Sequence, residues 1–184
     1  VDTTQTPAVT TLMGIGTLPV DHPLNLGMLG MHGEKSTNII LNQCDLLFAI
    51  GVRFDDRATG KLENFCPNAK VIHIDIDAAE LNKLRTCEHT VNADAHDFLT
   101  ALIETATEME HPDWINGITA IRTDYPSIIE PEDPRKILED LGHKLADDTI
   151  VVTDVGQHQM WTAQSWPIKH PRQLLTSGGL GTMG

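Results

Sequence analysis

Four ionisable side chains stand close together in the stretch "GVRFDDRATG", directly after an apolar run. Arg53 and Arg57 flank Asp55 and Asp56, so two guanidinium groups could grip a pyrophosphate in bidentate fashion. The carboxylates could orient these groups or accept hydrogen bonds from ribose hydroxyls. The same pattern also fits a solvated loop with two local ion pairs, which are common and contribute only ~0-1 kcal/mol each. The residues alone leave both interpretations open.

Glycines recur at every third residue of the stretch "LGMLGMHG", at Gly27, Gly30 and Gly33. This spacing is similar to the dinucleotide fingerprint G-x-G-x-x-G, although it does not match it. One interpretation is the entry to a helix that needs positive φ angles or close packing. The other is a contact of Met28, Met31 and His32 with a flat ring.

Two further stretches follow predicted strands, where open α/β sheets bind ligands. The stretch "HIDID" ends in Asp75 and Asp77, whose carboxylates could accept a hydrogen bond from a ribose or adenine, or could cap a helix. The stretch "TDVGQHQMW" presents Gly156, Gln157 and His158. A glycine there lets backbone amides approach a phosphate, and the two neutral side chains add donors.

The sequence closes with four glycines among its last seven residues, behind the apolar pair Leu174-Leu175. A strand followed by clustered glycines usually leads to a helix whose amino end meets a ligand. The sequence stops before such a helix, and its first residues, "VDTTQTPAVTT", begin as abruptly. We therefore expect it to be a piece of a longer protein.

Composition excludes several kinds of partner. The chain has 26 acidic and 13 basic side chains, and its net charge of -13 repels nucleic acid and anionic lipid. It has neither an apolar run of the roughly 20 residues that a membrane helix needs nor a signal-peptide pattern, so we expect a cytoplasmic protein. Cys44, Cys66 and Cys87 are odd in number and far apart along the chain, which predicts reduced thiols. The absence of an H-E-x-x-H or G-x-S-x-G motif predicts no metal ligand and disfavours a hydrolase.

Apolar runs rich in β-branched residues predict buried strands at 7-12, 45-52, 70-77 and 149-155. Apolar residues three and four apart predict helices at 34-44, 98-109 and 134-145. This alternation predicts an α/β fold with a doubly wound parallel sheet. A proline-rich, acidic stretch with one short helix near 114-121 predicts a linker. The predicted units are therefore a domain at 1-110, a linker at 111-133 and the truncated start of a second α/β domain at 134-184.

Six stretches, in chain order, resemble the catalytic subunit of acetohydroxyacid synthase, also called acetolactate synthase: "TLMGIGTLP", "LGMLGMHG", "GVRFDDRATG", "VIHIDIDAAE", "TDVGQHQMWTAQ" and "LTSGGLGTMG". The resemblance covers almost the whole chain and is weakest at 105-135. It implies the Rossmann-like middle domain of a thiamine diphosphate enzyme, followed by the start of the coenzyme-binding domain. Glyoxylate carboligase is the nearest rival family, and a free-standing nucleotide-binding or structural domain is the alternative from another class.

The resemblance implies two sets of cofactor contacts. The middle domain would hold FAD, with no net redox role, and the last part would hold half of a thiamine diphosphate site. The implied FAD contacts are Thr11, Leu12, Met13, Leu29, Gly30, Met31, His32, Gly51, Arg53, Asp55, Arg57, Asp75, Ile76 and Asp94. The implied thiamine diphosphate contacts are Val155, Gly156, Gln157, His158, Gly181 and Met183.

The resemblance also implies what this chain does not contain. The catalytic glutamate and the magnesium ligands of the family lie in segments outside these residues, so we expect the 184 residues alone to be inactive. The implied reaction decarboxylates pyruvate and adds the two-carbon unit to pyruvate or 2-oxobutyrate, at the start of branched-chain amino acid synthesis. The implied partners are these 2-oxo acids, a second catalytic subunit and a small regulatory subunit.

Overall fold

The structure, a computed structural model, describes residues 1-184 and contains strands and helices in alternation. The strands are β1 (Ala8-Thr10), β2 (Asn25-Met28), β3 (Leu46-Ile50), β4 (Lys70-Asp75), β5 (His89-Asn92), β6 (Val151-Thr153) and β7 (Leu174-Thr176). The α-helices are α1 (Lys35-Asn42), α2 (Asp56-Thr59), α3 (Ala95-Thr105), α4 (Pro112-Asp124), α5 (Pro134-Lys144) and α6 (Gln157-Ser165). Short 3-10 helices lie at Leu12-Gly14, Leu62-Asn64 and Gly178-Leu180.

All strand pairs are parallel, which confirms the predicted α/β class with parallel sheets. The strands form three sheets, with the orders β1-β2, β3-β4-β5 and β6-β7. Each of the four apolar runs contains one strand, and the predicted helices correspond to α1, α3, α4 and α5. Strands β2 and β5 were not predicted.

The core lies under the β3-β4-β5 sheet and beside α1. Val71 and Ile74 of β4 and Ile40 of α1 are almost completely buried. Helix α1 presents one face to this core, because its buried residues lie one turn apart on the same side of the helix: Ser36 and Thr37, then Ile40 and Leu41. The hydroxyl of Thr37 on that face donates a hydrogen bond to the backbone carbonyl of Leu26, which ties α1 to β2.

Two sequence expectations about burial and helix length are wrong in detail. The predicted strands are not buried on both faces: Phe48 of β3 is exposed, and Val152 of β6 is 73% exposed. The apolar pattern could not show which side chains of a strand stay exposed. The helix predicted to reach Met109 ends at Thr105, because the backbone turns to an extended conformation at Ala106.

Helix α4 occupies most of the segment predicted as a linker. It is longer than the short helix expected there, and its Ile118 packs against Leu26 and Ile40. The guanidinium of Arg122 donates a hydrogen bond to the carbonyl of Asn25 over 3.0 Å. Helix α4 therefore contacts the first domain, while the predicted domain bounds themselves stay a prediction.

Candidate functional site

Three loops meet at one edge of the β3-β4-β5 sheet, because neighbouring parallel strands end on the same side. The backbone N-H of Gly51, just after β3, donates to the carbonyl of Ile74 in β4 over 2.8 Å. The N-H of Ala93, just after β5, donates to the carbonyl of Asp75 over 3.1 Å. The segments around Gly51, Asp75 and Asp94 therefore form one continuous edge.

The loop after β3 leaves both of its guanidinium groups facing solvent. Asp55 accepts hydrogen bonds from the backbone N-H groups of Arg57 and Ala58 and so caps the short helix α2. Its second carboxylate oxygen lies 3.7 Å from the guanidinium of Arg53, whose side chain is 71% exposed. The guanidinium of Arg57 lies 3.7 Å from the Met31 sulfur. Neither guanidinium is therefore held in a short ion pair, and the pyrophosphate role of the two arginines stays a prediction.

The glycine-rich loop at 29-33 is fixed against the arginine loop. Met31 donates its N-H to the carbonyl of Arg57 over 2.9 Å. Asn38 of α1 clamps Gly30 from both sides, accepting from its N-H at 2.8 Å and donating to its carbonyl at 2.9 Å. A Cβ atom on Gly30 would lie 2.4 Å from the Arg57 carbonyl oxygen, and the φ angle of Gly30 is +95°. Of the two interpretations of the glycines, close packing at positive φ is thus observed at Gly30.

The loop after β4 places a buried carboxylate beside an exposed apolar residue. Asp75 is 8% exposed, and its Oδ1 accepts a hydrogen bond from the N-H of Asp77 over 2.8 Å. Asn92 donates to the carbonyls of Asp75 and Ile76, which fixes the backbone there. Ile76 is 71% exposed. The helix that Asp75 or Asp77 could have capped is not present, because a turn follows β4.

The remaining predicted FAD contacts follow strands β1 and β2. Leu29 is buried and donates its N-H to Thr10, next to Thr11. Leu12 and Met13 form a 3-10 helix, and the Met13 side chain is exposed. His32 follows the glycine loop, and its carbonyl accepts a hydrogen bond from Gln164 of α6 over 2.8 Å. This last bond links the edge to the second predicted site.

Asp94 caps α3 by accepting from the N-H of His96 over 2.8 Å. With Asp97 these residues bring three potential metal-ligand atoms within 4.8 Å of one another. The sequence search for motifs missed this group. All three side chains are exposed, and helix capping accounts for the position of Asp94.

At the second predicted site, which is the implied thiamine diphosphate site, residues 154-155 pair with residues 182-184. Val155 donates its N-H to the carbonyl of Thr182 over 2.7 Å. Asp154 accepts from the Thr182 hydroxyl at 3.2 Å and from the Gly184 N-H at 3.0 Å. The "VGQH" turn and the closing glycine run therefore lie side by side.

Helix α6 begins directly after Gly156, so its first backbone N-H groups have no partner within the helix. A Cβ atom on Gly156 would lie 2.9 Å from the His158 ring. Gly181 adopts a φ angle of +65°, and the Met183 side chain is 79% exposed.

Three amide side chains that hold the two sites were missed by sequence reasoning: Asn38, Asn92 and Gln164. Each acts on the backbone of a residue far along the chain. No local pattern marks such an amide, because asparagine and glutamine are common on exposed helices and at strand ends.

The cysteines differ from expectation in one respect. All three are free thiols, but Cys44 and Cys66, far apart along the chain, lie together in the structure. The Cys66 sulfur and the Cys44 N-H both donate to the carbonyl of Leu41 over 3.3 Å. The neighbouring Cys44 thiol, and then burial, raises the pKa of Cys66, while the contact with Cys66 lowers the pKa of Cys44.

None of the helices combines the length and the apolar character that crossing a membrane requires.

The chain is similar over nearly its whole length to acetolactate synthase large subunits. It is 49% identical over 184 residues to the Escherichia coli (strain K12) acetolactate synthase isozyme 1 large subunit, covering 98% of this chain and 33% of that protein. It is 43% identical over 185 residues to the Lactococcus lactis acetolactate synthase large subunit, covering 98% and 32%. The chain therefore spans about a third of the length of the curated relatives it matches. The resemblance seen in the sequence is confirmed.

Two family descriptions match separate parts of the chain. The thiamine pyrophosphate enzyme C-terminal TPP binding domain matches residues 154-184, which include the "VGQH" turn and the closing glycines. The thiamine pyrophosphate enzyme central domain matches residues 1-102, which include the three loops at the β3-β4-β5 edge. Since this second match covers more than half of the residues, the chain belongs to the thiamine pyrophosphate enzymes.

Proposed function

We propose that this chain is the FAD-binding part, and part of the thiamine diphosphate site, of an acetolactate synthase large subunit. The whole protein would decarboxylate pyruvate and join the two-carbon unit to pyruvate or 2-oxobutyrate, in branched-chain amino acid biosynthesis. The relatives support this assignment over glyoxylate carboligase, because they are acetolactate synthases. The observation that carries it is the meeting of two exposed guanidiniums and a buried carboxylate at one sheet edge.

The β3-β4-β5 edge fits an extended dinucleotide such as FAD. The guanidiniums of Arg53 and Arg57 would bind the diphosphate, because neither is engaged in a short ion pair. A Cβ atom on Gly51 would meet nothing within 4 Å, so there is open space at the end of β3 for a ligand to approach. Asp75 would accept a hydrogen bond from a ribose hydroxyl or from adenine.

The start of α6 fits a diphosphate. The N-H groups of Gly156, Gln157 and His158 precede the first intrahelical hydrogen bonds, so they can donate to phosphate oxygens where the helix dipole favours negative charge. Gly181 and Met183 would support the aminopyrimidine ring. Bound thiamine diphosphate supplies the electron sink for decarboxylation. The magnesium ligands and the catalytic acid would come from other parts of the whole protein, and a second catalytic subunit and a small regulatory subunit are its proposed partners.

The test is FAD binding by the chain itself, which is measured through the quenching of flavin fluorescence. We expect the Arg53→Gln, Arg57→Gln double variant to bind FAD roughly 10- to 100-fold more weakly, because a hydrogen bond to a charged group contributes about 1.5-3 kcal/mol. Arg172→Gln is the matched control, because Arg172 is exposed and lies outside both sites. Equal affinities of the double variant and the control would contradict the assignment of this edge to FAD.

A further inference from the structure

His73 is a buried polar residue that the proposed function does not use. It lies in the middle of β4, and its residue surface is 0% exposed. Neither ring nitrogen has a hydrogen-bond partner. Buried polar groups are nearly always paired, because an unpaired one has lost its hydrogen bonds to water without replacement. A buried imidazole with no hydrogen-bond partner is therefore unusual and suggests a functional role.

The surroundings of His73 connect it to two of the loops at the proposed nucleotide site. Its ring packs edge to face on Phe54, with 5.0 Å between ring centroids. Phe54 is buried, has a φ angle of +55°, and lies between Gly51 and Arg57 in the arginine loop. The imidazole thus supports the arginine loop from below.

Asp75 is the nearest charged group to this ring. His73 and Asp75 are two residues apart on β4, so their side chains leave the same face of the strand. The His73 Nε2 lies 4.0 Å from the Asp75 Oδ2. The other carboxylate oxygen, Oδ1, already accepts the Asp77 N-H. Oδ2 accepts no hydrogen bond from the protein, so it can accept one from the His73 ring.

We propose that His73 is the positioning residue of Asp75. When a nucleotide hydroxyl binds the Asp75 carboxylate, the Nε2-H of His73 closes the 4.0 Å gap and donates to Oδ2, which fixes the carboxylate plane toward the ligand. This inference rests on the proposed function, because the ligand is the adenosine part of FAD. His73 does not touch the ligand and acts through Asp75 alone.

A double-mutant cycle tests the coupling. FAD affinity is measured for the unchanged chain, His73→Phe, Asp75→Asn and the combined variant, with urea unfolding as the check that each is folded. We expect His73→Phe to weaken FAD binding roughly 10-fold, and to have no further effect once Asp75 is Asn. Additive losses would overturn the proposal, because they would show that His73 acts independently of Asp75.

The conservative variant separates positioning from packing. Gln places an amide N-H close to where His carries its Nε2-H, so His73→Gln should retain most of the affinity, whereas Phe fills the space without a donor. If His73→Phe binds FAD as well as His73→Gln, the residue only fills space and the proposal is wrong.

A measurement without ligand keeps the inference separate from the proposed function. The ¹⁵N resonances of the His73 ring report which nitrogen carries the proton, and a carboxylate 4.0 Å away favours the proton on Nε2. We expect Asp75→Asn to shift the Nε2 resonance in the free chain. If the chain binds no FAD but this shift is seen, the proposed function fails and the His73-Asp75 coupling stands. If FAD binds and no shift is seen, the coupling fails.

Discussion

The loops after β3, β4 and β5 and the loops after β6 and β7 occupy equivalent ends of parallel sheets, but different structures support them. The first set lies on three strands of four to six residues, with Val71 and Ile74 almost completely buried beneath. The second lies on two strands of three residues, with Val152 largely exposed. A binding edge is only as rigid as the side chains packed under it, so the first edge is preorganised and the second depends on what covers it.

The largest effect is expected when an isoleucine is replaced by alanine under the first edge, and the same substitution beside β6 serves as the comparison. Ile74→Ala should lower the free energy of unfolding by about 2-5 kcal/mol, because Ile74 is 1% exposed and its removal leaves a cavity. Ile150→Ala, beside β6, should change it by less than about 0.5 kcal/mol, because that side chain is 61% exposed. Urea unfolding of the two variants measures both. Equal losses would mean that the β6-β7 region is packed as tightly as the first.

The next effect tests the close contact between the glycine loop and the arginine loop. Gly30→Ala forces a Cβ to within 2.4 Å of the Arg57 carbonyl, in addition to the strain of positive φ. Gly60→Ala is the matched control, because it has a positive φ of +62° with nothing within 4 Å. We expect the control to lose about 1-3 kcal/mol of stability, because its backbone conformation strains any other residue, and Gly30→Ala to lose more. If both lose the same in urea unfolding, the two loops are not held against each other.

The fold class and the positions of most elements could be predicted from the sequence, because continuous apolar runs and helical spacing dominate the local signal. Strands β2 and β5 were missed because they are short and carry little of that signal: β2 contains Gly27, and β5 reads "HTVN". The exposure of Val152 was missed for another reason. A run of apolar residues shows that a strand can be covered, but the covering element is encoded elsewhere.

The candidate site was predictable in part. Charged residues and glycines at strand ends marked its loops, because parallel strands bring those ends together. The amides that hold the loops were not predictable, because Asn38 and Gln164 act across 8 and 132 residues of sequence. Nor was the pairing of His73 with Asp75, since an alternating strand pattern shows a shared face but not a missing hydrogen bond.

A third prediction concerns the weaker second edge. Gly156→Val places a branched side chain where the Cβ alone would come within 2.9 Å of the His158 ring, so the ring must move and the N-H groups at the start of α6 become harder to reach. We expect thiamine diphosphate affinity to fall about tenfold, which corresponds to about 1.4 kcal/mol, with FAD affinity unchanged. Gly179→Val is the control, because nothing lies within 4 Å of that position. Calorimetric titration with magnesium present would contradict the assignment if both variants bound equally.

The smallest expected effect uses the thiols as reporters of the first region, which contains all three cysteines. The contact with the Cys66 thiol lowers the pKa of Cys44, and burial raises the pKa of Cys87. Since the thiolate is the nucleophile, Cys44 should react with iodoacetamide at a lower pH than Cys87. Its advantage near neutral pH should be several-fold and should shrink as both thiols ionise at higher pH.

Cys66 is 0% exposed and its pKa is raised, so it should react only when the first region unfolds. Peptide mass spectrometry over a pH series gives the three rates, and Cys66→Ala is the control that should remove the advantage of Cys44. If Cys66 reacts in native buffer as fast as Cys87, the core under the first edge opens readily. The proposed difference in rigidity between the β3-β4-β5 edge and the β6-β7 edge would then be wrong, because water would reach the side chains beneath both.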